Sequence, residues 1–362
     1  MSDQKEIIIV APKDSAHLVC ELPYLFKKAG FRVTVLAFPD WSLAYSSYID
    51  ELIDASPNPK EIIEEAALLL AKRSFEFKIL ASDSLIWALV DSAIDPALKM
   101  QLYPIANPIF LQALNGKVEV AALLKELEIP SPPSQAAQSL QEAASIAQEI
   151  GFPVILKVSR SGAGEGVYKC ETEEEVMKAS IATDQPFLIE KYLEGDLISV
   201  EPLFLASRLV AYSYSIMTYS PTLYAPSLER MFMPCKEIEP ILQKLGEKLQ
   251  LTGFFSLSFI REKEQKHSLF ELDFRPNRWV RHGALAGVDW VKALQGSFPL
   301  QSPQSIKKVR HFQADLWHAI KTKQKDRIFY WLFNRNGSWK TIPFYDLKVL
   351  FGGAWHMMKK IP

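Results

Sequence analysis

One lysine on an apolar strand, followed by three glycines at alternate positions, is the stretch of this chain best suited to chemistry: FPVILKVSRSGAGEGVYKC, residues 152–170. In an extended strand Val154, Leu156 and Val158 share one side, and Ile155, Lys157 and Ser159 share the other. An ammonium in such a setting needs a partner, because an unpaired buried charge is costly. Gly162, Gly164 and Gly166 free the backbone for tight turns and close approach to a ligand. A Walker-type phosphate loop would run on into Lys-Ser/Thr and a helix. Here VYKC reads as a second strand. The context is a hairpin whose tip can close over phosphates, as the glycine flap of kinases does; an ordinary surface hairpin is the alternative.

Acidic and basic side chains cluster further along, in GFFSLSFIREKEQKHSLFELDFRPNRW. Two alternating strands flank the charged turn REKEQKH. Alternation in the second strand puts Leu269, Glu271 and Asp273 on one face and Phe270, Leu272 and Phe274 on the other. Carboxylates at i and i+2 repel unless a cation lies between them. Mg²⁺ takes one or two carboxylates and completes its shell with phosphate oxygens. Hairpin pairing brings Ser256 and Ser258 to the same polar face. Arg275, Arg278 and Arg281 follow within seven residues, with His282; clustered guanidiniums suit phosphate and carboxylate groups. Between the two regions lies PFLIEKYLEGDLISVEPLF. Glu190 and Lys191 end its first strand, and Gly195 and Asp196 make the turn. Such a linker presents backbone groups to an adenine edge, or is a plain β-turn.

The elements that position these groups fall into four stretches. Residues 1–104 alternate strand and helix: EIIIVAP, AHLVCELPYLFKKAG, FRVTVLAF, EIIEEAALLLAKR, then FKILASD with its acidic end. That alternation predicts a parallel sheet with helices on its faces and ligands at the strands' carboxyl ends. APKDSAH after the first strand has no G-x-G-x-x-G, which argues against a dinucleotide site. Residues 105–185 carry the helix of NGKVEVAALLKELEIPSPPSQ, ended by Pro130, Pro132 and Pro133, a second helix stopped by Gly151, and the glycine hairpin. Residues 186–298 carry the linker, the acidic pair and the arginines. In residues 299–362 the balance changes: positions 307–360 hold twelve Lys/Arg against three Asp/Glu, and four of the eight tryptophans, Trp317, Trp331, Trp339 and Trp355. This tail reads as a helical extension packing its aromatics inward, as a membrane-surface patch, or as a nucleic-acid surface. His311 and His318, spaced i and i+7, read as ordinary histidines of one helix face.

Net charge over 362 residues is −1, so no global field favours nucleic acid. Three scattered cysteines, Cys20, Cys170 and Cys235, have neither metal-ligand nor disulfide spacing. The N-terminal apolar run is too short for a signal peptide, and no uninterrupted apolar stretch reaches the ~18 residues of a membrane span. These features predict a cytoplasmic protein.

In order, GKVEVAALLKELEIPSPPS, FPVILKVSRSGAGEGV, FLIEKYLEGDLISVE, and GFFSLSFI with FELDFRP resemble the ATP-grasp superfamily over residues 105–295, with the family's usual α/β domain before it. The resemblance implies a Rossmann-like parallel α/β domain, a two-lobed ATP-grasp domain with antiparallel sheets, and a C-terminal helical extension. It implies that Lys117 and Lys157 contact the α- and β-phosphates, and that Ser161, Gly162, Gly164 and Gly166 close over the triphosphate. Glu190, with Lys191 and Leu193 through their backbones, would hold adenine. Glu271 and Asp273 would hold Mg²⁺, with Mn²⁺ as a substitute, and Arg275 would face the γ-phosphate. The family usually has Asn where Asp273 stands. Two positions depart further: Ser258 occupies the place of the first metal ligand, and Leu197 that of the ribose-binding acid, for which Asp196 is the nearest substitute. The implied activity is ATP-dependent ligation of a small carboxylate to an amine or thiol; by their nearness in sequence, Arg278, Arg281 and His282 would hold the acceptor carboxylate or act on the amine. An ATP-binding module with little turnover is the second reading. No specific nucleic-acid partner is expected; a homodimer and peripheral membrane contact through 307–360 are further expectations.

Overall fold

The structure, a computed structural model, describes residues 5–352 except 14, 40, 41, 163, 182, 183, 223 and 298. Apolar β-rich runs near the N-terminus form the parallel strands β1 (Glu6–Ala11), β2 (Arg32–Ala37), β3 (Glu51–Asp54) and β4 (Phe77–Leu80), in the order β3-β2-β1-β4. Strand β3 escapes the sequence pattern because ELID alternates half-buried and exposed at the sheet edge. Helices α1 (Leu22–Lys28), α2 (Pro59–Leu70), α3 (Asp83–Asp91) and α4 (Pro96–Leu102) accompany the sheet. Asn58 caps α2, and Ser82 caps α3 by accepting from the Leu85 N–H. That cap sets Asp83 in the first turn of α3, just past the carboxyl end of β4.

Helix α5 (Lys117–Glu126) leads into a four-stranded antiparallel sheet made of β5 (Ser134–Ala137), β6 (Val154–Val158), β7 (Val167–Cys170) and β8 (Phe187–Lys191), ordered β5-β8-β6-β7. Helices α6 (Leu140–Ile150) and α7 (Glu173–Lys178) cover one side. Val154, Leu156 and Ile189 join Ala143, Ile146 and Ala147 of α6 in one core. The period of two therefore holds, and it turns Lys157 away from α6.

The larger antiparallel sheet contains β9 (Asp196–Leu205), β10 (Arg208–Tyr219), β11 (Glu229–Phe232), the short β12 (Gly253–Phe254), β13 (Ser256–Arg261) and β14 (His267–Asp273). Its order is β14-β13-β9-β10-β11 with the later strand β15 (Lys307–Arg310) at the far edge, and β12 beside β9. Helix α8 (Glu239–Leu249) buries Leu242, Leu245 and Leu249 against it, in a core continuous with α2, α3 and α5. The last helices are α9 (Trp290–Leu294), α10 (Phe312–Lys321) and α11 (Lys325–Leu332).

Two expectations change here. The C-terminal stretch carries a strand, β15 (Lys307–Arg310), which pairs with β11 and completes the large sheet; Lys308 and Arg310, two of its three basic residues, meet Glu229. The simple alternation predicted for β14 also breaks. Register passes from Ser258↔Glu271 to Phe259↔Leu269, leaving Phe270 as a bulged residue. Leu269 consequently joins Leu272 and Phe274 in the core, while Phe270 turns toward Lys157.

Candidate functional site

Lys157 finds its partner across the small sheet. β6 and β8 pair with Lys157 opposite Leu188, so Glu190, two residues on, is its diagonal neighbour on the same face. Nζ donates to Glu190 Oε1 at 2.7 Å, and both side chains are buried. Nζ also lies 3.4 Å from the Phe270 carbonyl and 4.8 Å from the centre of its ring. The bulge in β14 thus closes lobe on lobe around the lysine. Burial pushes the Glu190 carboxyl above its ordinary range, Lys157 pulls it back, and Glu271 raises it further.

Lys117 opens α5 and reaches the glycine hairpin, where Nζ donates to the Ser161 carbonyl and lies 3.2 Å from Ser161 Oγ. Burial holds its ammonium below the ordinary lysine range, while Glu271, Asp273 and Asp83 push it back up. Gly164 takes φ +83°, and a Cβ there would stand 2.5 Å from the Tyr224 carbonyl. Only glycine lets the tip lie against the large sheet's β10–β11 loop. Ala163 lies outside the described residues.

Three carboxylates surround one guanidinium at the end of β14. Arg275 Nη2 is 2.6 Å from Asp83 and 3.4 Å from Asp273, and its Nε donates to Asp83 at 2.8 Å. Burial raises the Asp273 carboxyl to about 8; Arg275 opposes this, while Asp83 and Glu271 add to it. In register, Ser256 stands opposite Asp273, and Ser258 opposite Glu271. Asp273, crowded by Asp83 and Glu271, makes this a hard-oxygen set short of positive charge, which a divalent cation relieves. Glu271 and Asp273, two residues apart at the end of β14, are the carboxylates that one magnesium ion would draw on. Ser258 adds no carboxylate for a second, and among the described residues no group of three His, Cys, Asp or Glu side chains forms a metal cage.

The remaining arginines lie deeper. Arg278 donates to the Ser227 carbonyl at 3.0 Å, and burial next to Arg230 pushes its guanidinium down to about 10. Arg281 lies 3.9 Å from Glu21 and stacks 4.3 Å over the Tyr345 ring. His282 is buried, with both ring nitrogens lacking hydrogen-bond partners, and burial holds it well below the ordinary histidine range. These groups line a narrow cavity of about 20 Å³ with Cys20, Glu21, Asn277 and His311. His311 precedes α10 rather than riding on it, and its ring lies 5.2 Å from that of His282. His318, by contrast, meets the Tyr219 hydroxyl. The two histidines do not share a helix face.

Other expected residues are occupied by structure. The Lys191 N–H donates to the Pro133 carbonyl, so it is not available to an adenine edge, and its Nζ binds the Gly151 and Phe152 carbonyls. Asp196 is held by Arg261 at 2.6 Å. Leu193 lies in the loop after β8, and Leu197 is exposed. Gly162 has open space around it, and Gly166 takes φ +65°.

Sequence reasoning missed a second buried ion pair. Glu201, wholly buried on β9, accepts from Arg230 at 2.7 Å, Asn277 at 3.0 Å, Ser199 at 2.6 Å and Ser213. Its signal is the one that singled out Lys157: a lone charge in an apolar strand, SVEPLFL. Asp83 was visible as the acidic end of FKILASD, but its partner Arg275 lies 192 residues away.

Residues 116–197 match the ATP-binding domain of the carbamoyl-phosphate synthase L chain. The chain is 25% identical over 174 residues to the carbamoyl phosphate synthase large chain of Pyrococcus furiosus, a match taking up 45% of this chain and 16% of that protein's length. Among solved structures, carboxyaminoimidazole ribonucleotide synthase from Aspergillus clavatus, complexed with ATP, gives a TM-score of 0.66 at 14% identity over 89% of this chain and 86% of that one. The biotin carboxylase domain of Hydrogenobacter thermophilus 2-oxoglutarate carboxylase, in complex with MgADP and bicarbonate, gives 0.62 at 17% identity over 84% and 73%. At such identities the structural likeness is one of fold.

Proposed function

We propose, from the premise that this chain belongs to the ATP-grasp superfamily, that it is an ATP-dependent ligase acting on a small carboxylate and an amine or thiol. The observation that supports this reading is that Lys117 and Arg275 act on Glu271 and Asp273 of β14 while the Lys157–Glu190 pair of the small sheet closes on Phe270 of the same strand. The solved relatives with ATP and MgADP bound support the nucleotide and the magnesium; Mn²⁺ is the natural substitute.

Lys117 and Lys157 neutralise phosphate charge, and the hairpin from Ser161 to Gly166 covers it. Adenine lies against Glu190, the Lys191 carbonyl side and Leu193, with Asp196 nearest the ribose. Glu271 and Asp273 hold magnesium, which supplies charge neutralisation at the phosphates. Arg275, steered by Asp83, orients the reacting groups, so that catalysis rests on positioning and electrostatics. A carboxylate oxygen of the substrate attacks the γ-phosphorus and ADP leaves. The amine or thiol then attacks the acyl carbon, phosphate leaves, and the nucleophile loses its proton. Arg278, Arg281 and His282 face the acceptor from the cavity beside Glu21. The partition at residues 104, 185 and 298, a cytoplasmic setting and a homodimer belong to the same reading.

Ser258, opposite Glu271 where a metal-binding acid is usual, favours a second reading: an ATP-binding module with little turnover. ADP release with Mg²⁺ and pools of amino acids and small acids decides between them. Release above the ATP-alone background by one pool supports the ligase. Tight ATP binding with no release for any pool supports the module, and absence of ATP binding removes both.

A further inference from the structure

Among the described residues, nine of the fifteen exposed large apolar side chains lie between Ile306 and Phe351. Three of them sit together on α11 and its C-cap residue Phe333. Its inner face is fully used: Arg327 bonds Asp315 and covers the Tyr219 ring, Trp331 Nε1 donates to Asp315 at 2.9 Å, and Tyr330 lies 4.1 Å below Arg310. Its outer face carries Phe329, Leu332 and Phe333, which are 41%, 61% and 67% exposed. An apolar helix face turned away from the helix's own packing belongs against an apolar partner, yet this one lies at the surface.

The charge around it has one sign. In residues 306–352 eight Lys/Arg are exposed, against the single exposed acid Asp326. The other two acids are buried and bonded, Asp315 as above and Asp346 to Ser46 and Ser47. Beside α11, Arg310, Arg327 and Arg335 line an open groove of about 360 Å³ with Asp326, Tyr330 and Asn336. Glu229 holds Arg310 and Asp315 holds Arg327, so the exposed Arg335 is the guanidinium of this groove that can meet phosphate oxygens.

We propose that the outer face of α11 docks this protein on an anionic lipid bilayer. Phe329, Leu332 and Phe333 enter the headgroup–acyl boundary, while Lys321, Lys323, Lys325 and Arg335 meet lipid phosphates. A second copy is the poorer occupant: a two-fold interface sets the same patch against itself and would oppose one set of cations to another. No helix among the described residues is long and apolar enough to cross a membrane, so contact is peripheral.

Deleting the tail is an unsuitable test, because β15 belongs to the large sheet and Asp346 bonds the N-terminal domain. The full chain is instead sedimented with phosphatidylcholine vesicles, with and without phosphatidylglycerol. Co-sedimentation is expected only with phosphatidylglycerol and weakens as salt rises. Lys325→Ala and Arg335→Ala each weaken it about fivefold, the effect of one charge near an anionic surface. Phe329→Ser with Phe333→Ser abolishes retention, with circular dichroism and ADP release unchanged. Absence of co-sedimentation, equal binding to phosphatidylcholine alone, or retention of the double serine variant overturns the proposal. So does a native dimer in size-exclusion chromatography that those serines dissociate without any vesicle binding by the parent.

Discussion

Two buried ion pairs of equal length divide this molecule. Lys157–Glu190 and Arg230–Glu201 both close at 2.7 Å, but their surroundings differ. Glu201 has four donors on two oxygens, three of them neutral side chains. Glu190 has a single cation, an ammonium that also leans on a carbonyl and a ring. Around it Glu271, Asp273 and Asp83 leave negative charge that Lys117 and Arg275 do not balance, and Asp273 answers by retaining a proton up to about pH 8. A satisfied network fixes a scaffold; an unbalanced one is ready for a ligand that supplies the missing partners. The first pair belongs to the candidate site, and the second holds in place strands β9 and β11 and Asn277.

The largest test of this contrast is Glu201→Ala. It strands Arg230 in the interior, and urea unfolding should show a loss of about 3–5 kcal/mol. Lys157→Met should behave differently. Glu190, already pushed upward, takes a proton instead of remaining a bare charge, so stability falls less than for Glu201→Ala. ATP affinity falls by about 1.5–3 kcal/mol, the worth of a hydrogen bond to a charged group, as titration calorimetry would read. If both variants lose stability alike and ATP binding is untouched, the distinction fails. Gly164→Ala comes next: its Cβ meets the Tyr224 carbonyl at a left-handed φ, a strain of about 1–3 kcal/mol that appears as weaker nucleotide binding with little change in melting temperature. The smallest effect sharpens the comparison through pH. The folded-state pKa of Asp273 lies above its unfolded value near 3.9, so its stabilisation is complete below that value and is lost as pH rises through about 8. The melting temperature of the ligand-free protein should fall over that window, and Asp273→Asn should flatten the fall.

Much of the candidate site was legible because local rules carried it. Period-two alternation turned Lys157 away from the apolar side of its strand, and the cost of burying an ammonium demanded an acid. The strand–glycine–strand context separated a hairpin from a Walker loop, and hairpin pairing brought Ser256 and Ser258 to the face of the acidic pair, where the fold sets Ser258 opposite Glu271. Alternation failed at Phe270, since a bulge is a property of two paired strands and not of either one. Glu201 was open to the reasoning applied to Lys157, but its partners come from four separate segments. The opening of the C-terminal stretch read as helix because KKVR pairs only when β11 is beside it.

By itself, then, the order of residues determined the parallel sheet, the glycine flap, the acidic pair and the basic, aromatic C-terminus, since each depends on neighbours within a few positions. The tertiary structure alone decided that Lys157 meets Glu190 and the bulged Phe270, that Arg275 is steered by Asp83, and that α11 turns phenylalanines outward. Those outcomes depend on which distant surfaces close together and exclude water, a choice set by packing over the whole chain.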